Sequence, residues 1–491
     1  MNSTRSYKNL MPVIIILGLS TLISISVLLF SAKFQYYYLL ALAFGLPIGI
    51  LVLRAVIISS SRISYLFSQL RWWHFLWLLV ILSGLVFRIR DTQTSQQNPL
   101  DLWAFYRISL VGIIGLVLVA RLITKKTDWF KVLFQGSIGL LAVYAIFGIA
   151  STFWSTFPFW SFYKSTEYLI DVALIAAIVV SVKNVEEFKS LFDLTWVLFG
   201  ILVATAWIGL IFWPSLYKTD VGMIGLQIAG VIPAMETNQV GELAAILGIV
   251  ALNRFLSMKD EKFYIVLFFV SMVTLIFSQS RSPIAGFLVA VPLMLFASRR
   301  IGPVLLTATL LFALLLFTGI ADTFWEYFQR GQERKYFATF SGRTDMWALG
   351  WEVFKDSPLV GYGAYAGARF EVLSHVSSVG NWSSILNTWL EIILGVGIIG
   401  GILVGAAFVR TWINLLRVAF MTKSGSLINI LAIESIGILA LLSVRSIFTT
   451  VIIWHPPVKF FLLLGYSEFL SRRYLRKKSK KSIYQRAAFR P

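Results

Sequence analysis

The stretch ILNTWLEIILGVGIIGGILVGAAFV, residues 385–409, decides the class of fold. Its only charged side chain is Glu391, and every other residue is apolar, small or neutral. At about 1.5 Å per residue, a helix of this length crosses a hydrocarbon core of about 30 Å. The stretch therefore predicts a transmembrane helix.

Similar apolar runs recur along all 491 residues, of which 58% are hydrophobic and 13% charged. Soluble domains carry about 25% charged residues, and the mean hydropathy here is +0.80. We predict an all-α, polytopic membrane bundle of about 14 helices (about 12–14). The predicted spans are approximately 10–31, 36–58, 73–88, 104–123, 132–153, 164–182, 191–213, 237–256, 263–279, 283–297, 301–320, 385–409, 427–443 and 447–470.

The net charge of +20 indicates a membrane surface rather than nucleic acid, because the basic residues lie mostly between apolar runs. Short cytoplasmic loops are enriched in Lys and Arg, and one assignment satisfies this rule throughout. The residues it places inside include Arg54, Arg62, Arg71, Arg121, Lys125, Lys126, Lys131, Lys183, Lys189, Arg254, Lys259, Lys262, Arg299, Arg300, Arg410, Arg417 and Lys423. We expect both termini in the cytoplasm.

Four parts follow from this topology: spans 1–11 in residues 1–320, a large outer-face loop at 321–384, spans 12–14 in 385–470, and a basic cytoplasmic tail at 471–491. We expect 10–31 to be an uncleaved span, because its apolar stretch is longer than the roughly 7–15 residues of a signal peptide. The loop has aromatic residues spaced for short amphipathic helices. Without cysteine, it is held by packing rather than by disulfides.

Three arginines fall on the predicted outer face, against the general trend. Arg281 lies at a short turn, Arg445 at another, and Arg343 in the large loop. Ser341 is the expected N-cap of a helix beginning near Arg343, and a helix N-terminus binds anions. Each arginine could instead contact lipid headgroups. Together they would suit a phosphate or diphosphate, because guanidinium binds phosphate oxygens bidentately.

The sequence contains three histidines. His375, in the outer loop, is a candidate general base. His455 lies in WHPP inside the last predicted span, where capping a kink is an adequate explanation. His74 falls at the predicted cytoplasmic edge and is expected to pack at the interface.

Carboxylates inside apolar runs are costly unless paired or functional. Glu391 follows Asn387 by one helical turn, on the same face and next to the outer loop. Glu167 has Lys164 one turn before it and Asp171 one turn after it, so a local ion pair explains it adequately. The other such acids are Glu242 and Glu434.

Three motifs, SQSRS (278–282), SGRTDMWALGWEVFKDSPLVGYG (341–363) and LNTWLEIILGVGIIG (386–400), resemble the O-antigen ligase and polymerase superfamily of bacterial membrane glycosyltransferases. The resemblance covers roughly residues 270–405. It implies a GT-C-like helical bundle with a large outer loop, located in a bacterial inner membrane. It also implies glycan transfer from an undecaprenyl-diphosphate carrier, without a cofactor or a required metal.

The resemblance also assigns residues. Arg281 and Arg343 match the family arginines expected to bind the diphosphate. Asn387 matches the asparagine of a His-Asn signature whose glycines are Gly397 and Gly400, and Asn238 agrees more weakly as a substrate-binding residue. The family histidine is replaced by Leu386. Glu391 or His375 are the candidates to take its place.

We therefore expect a polymerase or ligase of O-antigen or exopolysaccharide, with the missing histidine favouring a polymerase. Its partners would be a lipid-linked oligosaccharide donor, a glycan, lipid or protein acceptor, and membrane lipids. A transporter or flippase of lipid-linked saccharides is the alternative, and it would show midplane charges and broken helices in pseudo-symmetric halves. A catalytically inactive relative is a third possibility that Leu386 leaves open.

Overall fold

The computed structural model describes residues 70–85, 102–213, 218–219, 225–258, 262–300, 327–329, 332, 339–373 and 384–475. The predicted spans at 10–31, 36–58 and 301–320 lie outside the described residues.

Helices dominate the described part of the chain. They are α1 (Trp72–Ser83), α2 (Leu102–Ile123), α3 (Phe130–Leu133), α4 (Gly136–Ala150), α5 (Pro158–Ser181), α6 (Val185–Phe212), α7 (Thr237–Ser257), α8 (Lys262–Phe277), α9 (Arg281–Ala297), α10 (Arg343–Asp356), α11 (Thr388–Met421), α12 (Leu427–Phe448) and α13 (Val458–Leu470). A 3₁₀ turn follows α4 at Ser151–Phe153, and π turns lie at Gly367–Val372 and Ser471–Leu475. Strands β1 (Lys218–Thr219) and β2 (Leu226–Gln227) form a short antiparallel pair.

Among the described residues, 6 helical segments are long and apolar enough to cross a membrane. They are Leu102–Ile123, Gly136–Phe153, Val185–Phe212, Thr237–Ser257, Thr388–Met421 and Leu427–Phe448. Shorter apolar helices are Trp72–Ser83, Phe263–Phe277 and Arg281–Ala297. The predicted helical membrane class is confirmed. The count of about 14 spans and the four-part division stay predictions.

The centre of the bundle is built from α7, α9 and α12, which touch at glycines. A Cβ on Gly286 of α9 would lie 2.5 Å from Leu441 Cδ1 of α12. A Cβ on Gly437 of α12 would lie 2.7 Å from Ile249 Cγ2 of α7. Small residues let helix backbones approach closely, which matters where lipid supplies no hydrophobic drive between helices.

Hydrogen bonds from side chains to backbone carbonyls show the relative directions of these three helices. Arg300, just after α9, donates to the carbonyl of Leu256 near the end of α7. Asn253 of α7 donates to the carbonyl of Ile430 near the start of α12 at 2.9 Å. The carboxyl-terminal ends of α7 and α9 and the start of α12 therefore share one face, and their opposite ends share the other.

The last predicted span, 447–470, is not one helix. Residues 449–457 form a non-helical connection between α12 and α13. Pro456 and Pro457 at its end have no amide hydrogen to donate, so a helix cannot continue through them. His455 consequently lies in this connection and not inside a span, contrary to the prediction.

The predicted span 385–409 forms the first part of α11, but the helix is broken inside it at residues 396–397. A segment of the connection between α10 and α11 enters the break. Ile398 N donates to Pro358 O at 2.9 Å, and Gly363 N donates to Gly395 O at 2.9 Å. Irregular backbone at membrane depth is tolerated where protein satisfies its polar groups, and this loop segment satisfies them.

The break depends on Gly397, whose φ is +66°. A Cβ there would lie 2.0 Å from Leu359 O, so Gly397→Ala combines a left-handed backbone with a backbone collision. We expect it to destabilise the protein by at least about 1–3 kcal/mol, measured as a lower thermal midpoint of the detergent-solubilised protein by tryptophan fluorescence.

Gly405→Ala is the matched control, because nothing lies within 4 Å of a Cβ at this position of the same helix. An unchanged midpoint in both variants would show that the loop does not hold the break.

Candidate functional site

Arg445 lies in the last turn of α12 and is 2% exposed. Its Nη2 is 3.3 Å from Glu242 Oε2 on α7, and its Nη1 donates to Ser282 Oγ on α9 at 3.2 Å. One guanidinium thus joins three helices at the same end of the bundle. An arginine buried to this degree does not serve as a lipid-headgroup contact.

Arg281 is the first residue of α9 and holds part of the predicted loop 321–384 against that helix. Its Nε donates to Phe328 O at 2.6 Å and its Nη2 to Gln329 O at 3.0 Å. The same Nη2 donates to Gln332 Oε1 at 2.7 Å. These bonds fix the guanidinium at the helix N-terminus.

Arg343 is the first residue of α10, and its Nη1 donates to Phe448 O at the end of α12 at 2.9 Å. The predicted cap at Ser341 was wrong. The N-cap is Gly342, with φ of +81° and no side-chain cap bond. Ser341 is drawn instead into the contacts of Arg281, whose Nη1 donates to Ser341 Oγ at 3.3 Å.

The three arginines are gathered at one end of the bundle, and we name Arg281, Arg343 and Arg445 the arginine cluster. Arg445 bonds Ser282, which directly follows Arg281. Arg281 in turn reaches Ser341, two residues before Arg343. The N-termini of α9 and α10 lie at the same place, so their dipoles add to the positive potential of the guanidinium groups.

Glu391 is in the first turn of α11 and is 5% exposed. The Ser384 hydroxyl donates to its Oε1, and Trp454 Nε1 donates to its Oε2 at 2.6 Å. Both oxygens are therefore oriented by neutral donors, which suit a carboxylate that accepts a proton in a reaction.

Asn387 is the N-cap of α11. Its side-chain oxygen accepts from Trp389 N at 3.0 Å and from Leu390 N at 3.1 Å, a common use of asparagine at this position. Leu386 before it has φ of +53°, which is rare for a bulky residue and marks a constrained backbone. Leu386 N donates to Ser384 Oγ at 3.1 Å.

Of the two remaining predicted site residues, the structure describes Asn238 but not His375. Asn238 is half-buried in the first turn of α7, one helical turn before Glu242 and hence on the same helix face. His375 lies outside the described residues.

The predicted pair of Lys164 with Glu167 on α5 is confirmed, with Nζ 3.0 Å from Oε2. The sequence did not reveal the second cation, Arg107 of α2, whose Nε is 3.0 Å from Glu167 Oε1. One carboxylate is therefore shared by two cations from two helices.

Asp171 is not part of that pair. Its Oδ2 is 2.6 Å from His455 Nδ1, and His455 Nε2 is 2.8 Å from Ser83 Oγ. All three side chains are buried. This hydrogen-bonded chain fixes the imidazole in the 449–457 connection.

Trp454 lies between Glu391 and Lys164 of α5. Lys164 Nζ lies 5.7 Å from the centroid of a Trp454 ring and 5.2 Å from that of Trp160. Arg369, between α10 and α11, places its Cζ 5.0 Å from the centroid of the Trp160 ring. Cations next to aromatic faces at these distances are favourable contacts. In the sequence, Trp160 and Lys164 are one helical turn apart on α5. The sequence does not show that Arg369, which is remote along the chain, joins them.

Tyr365 secures the loop beside this group by donating to Ile453 O at 3.0 Å. Burial raises the pKa of its hydroxyl well above the ordinary value, so it remains a donor. Among the described residues, no three His, Asp or Glu side chains are grouped so as to hold a metal. The expectation that no metal or cofactor is required stays a prediction.

Residues 266–405 match the family model described as O-Antigen ligase. The match includes Arg281, Arg343 and Glu391, and it confirms the resemblance found at about 270–405. A search of curated proteins found no match. Over residues 266–405, the chain is therefore similar to the O-antigen ligase family, and this match supports the resemblance to the O-antigen ligase and polymerase superfamily.

Proposed function

We propose that this protein is a membrane glycosyltransferase that transfers or polymerises glycan from an undecaprenyl-diphosphate-linked donor. The observation that carries the proposal is the arginine cluster, gathered from α9, α10 and α12 at one end of the bundle. Two helix N-termini at the same place favour an anion, and guanidinium groups suit phosphate oxygens.

The arginines would act on the leaving group. An acceptor hydroxyl attacks the anomeric carbon, a new glycosidic bond forms, and the bond from that carbon to the phosphate oxygen breaks. The lipid diphosphate leaves with the bonding electron pair. Fixed positive charge at that oxygen stabilises charge that develops in the transition state.

The proton of the acceptor hydroxyl needs a base. Glu391 is our first candidate, because its carboxylate is buried and oriented by Ser384 and Trp454. His375 is the other candidate from the sequence. Asn387 supports this site by fixing the start of α11. Asn238, one helical turn before Glu242 on α7, is our candidate for a contact with the glycan donor.

We place the reaction at the outer face of the inner membrane, with both termini cytoplasmic. The ends of α7 and α9 opposite the arginine cluster carry Arg254, Arg299 and Arg300, as expected for a cytoplasmic face. A polymerase would use a second lipid-linked glycan as acceptor, and a ligase a different lipid or protein. Replacement of the family histidine by Leu386 favours the polymerase.

A flippase of lipid-linked saccharides is the second candidate, because the break in α11 resembles the broken helices of transporters. The loop at 358–363 fills that break with backbone hydrogen bonds. A filled break suits a fixed site better than alternating access.

The test of function is the glycan profile of a deletion strain carrying wild type, Arg281→Ala or Arg343→Ala. Removing one guanidinium group that stabilises the leaving group should lower glycan transfer by about 10²-fold or more. Single lipid-linked repeats should accumulate for a polymerase and finished long chains for a ligase. Donor trapped on the cytoplasmic side would instead support the flippase.

Arg299→Ala is the matched control. It lies just after α9, at the opposite end from Arg281, and also donates to a backbone carbonyl, that of Phe420, at 2.9 Å. Wild-type profiles in both cluster variants would overturn the proposed mechanism.

If Glu391 is the base, Glu391→Gln should lower the transfer rate of the purified protein by about 10²–10⁴-fold. Donor binding should persist, because the amide keeps the size of the side chain. Glu352→Gln, at an exposed acid paired with Lys355, should leave the rate unchanged. Full activity of Glu391→Gln would rule out this base.

A further inference from the structure

Lys459 is a cation beside the arginine cluster that the sequence did not single out. It is the second residue of α13, and its Nζ is 2.6 Å from Glu242 Oε2. Arg445 contacts the same oxygen at 3.3 Å. One carboxylate oxygen therefore holds two cations that come from different helices.

The charges of this group do not balance. Glu242 is the one acid within ion-pair distance of Arg445 and Lys459 in the described part of the chain. The side chains of Arg445 and Glu242 are each 2% exposed. Excess positive charge at such a buried position is costly, and a bound anion would offset that cost.

Hydrogen-bonding capacity is also unused. Arg445 Nε and Glu242 Oε1 are buried, and neither has a hydrogen-bond partner among the described residues. One is a donor and the other an acceptor. Buried polar atoms are normally satisfied, so the two mark a place for a ligand that both accepts and donates.

Part of the group is accessible, at Lys459. The Lys459 side chain is 24% exposed, whereas its two partners are buried. Glu242 lies about 8 Å along α7 from the start of that helix, and Arg445 about 5 Å from the end of α12. The group therefore lies deeper in the bundle than Arg281, which is at the very start of α9.

We propose that Glu242, Lys459 and Arg445 form a subsite for the glycosyl phosphate of the donor, in which the cations bind a phosphate oxygen and Glu242 Oε1 accepts a sugar hydroxyl. This rests on the proposed function, since it assumes a lipid-diphosphate donor. A glycosyl phosphate supplies both complements: anionic oxygens for Arg445 and Lys459, and a hydroxyl donor for Glu242.

The experiment measures dissociation constants of the full-length protein in detergent for two probes, farnesyl diphosphate and farnesyl diphosphate-linked glucose. Lys459→Met should weaken binding of both probes by about 10- to 100-fold, because a charge-assisted bond is lost. Lys459→Arg should restore most of the affinity.

Glu242→Gln should affect the probes differently. The amide oxygen must face Arg445 and Lys459, so the amide nitrogen replaces Oε1 and cannot accept a hydroxyl. We expect the sugar-linked probe to lose its advantage, by about 10-fold, while farnesyl diphosphate binds as before or more tightly. A purely structural ion pair would not distinguish the probes.

Lys355→Met and Glu352→Gln are matched controls from an exposed lysine and glutamate pair on α10, and they should bind both probes like wild type. Thermal midpoints check folding; if Glu242→Gln does not fold, the partly exposed Lys459 decides the matter. Wild-type affinity in Lys459→Met, or equal weakening of both probes in Glu242→Gln, overturns the subsite.

The proposed function fails in a different way. If wild type binds neither probe, or Arg281→Ala leaves both affinities unchanged, the diphosphate site itself is wrong and the subsite falls with it. If Arg281→Ala weakens both probes while the Lys459 and Glu242 variants match wild type, only the subsite is overturned.

Discussion

Charge inside an apolar bundle must be compensated, and this constraint determines how the helices of this protein meet. Near one face, Arg254 lies between Glu434 and Asp193, at 2.8 Å and 2.6 Å, and Lys189 also pairs with Asp193. Two cations are matched there by two acids, as a structural network requires. At the opposite face, Arg445 and Lys459 share a single acid, Glu242. The difference between the two ends marks where an anion is expected.

The helix termini strengthen that difference. Arg281 and Arg343 each begin a helix, and Lys459 is the second residue of another. A cation in a first turn opposes the helix dipole, whereas Arg445 in a last turn agrees with it. A cation in the first turn of each of these three helices is unfavourable in isolation. Their cost falls when a shared anion binds, which is why we connect them to a phosphate-bearing substrate.

The connection between α12 and α13 lies between the proposed anion site and the candidate base. Thr388, at the start of α11, donates to Thr449 O at 2.7 Å, and Trp454 farther along the connection donates to Glu391. Arg343 donates to Phe448 O, directly before this connection, so the connection links a residue of the arginine cluster to Glu391. Its non-helical course follows from the two prolines at its end, and it allows side chains from α12, α11 and α5 to meet.

Three sequence motifs predicted the family match at residues 266–405. Hydropathy and charge along the chain were enough to determine the membrane class and the positions of most described spans. These depend on local composition, because lipid selects apolar runs of a given length. Only the tertiary structure decided that α11 breaks at 396–397, that 447–470 is not one helix, and that Lys459 meets Glu242. The reason is physical: lipid thickness acts on each segment alone, whereas the partner of a buried charge depends on which distant helices pack beside it.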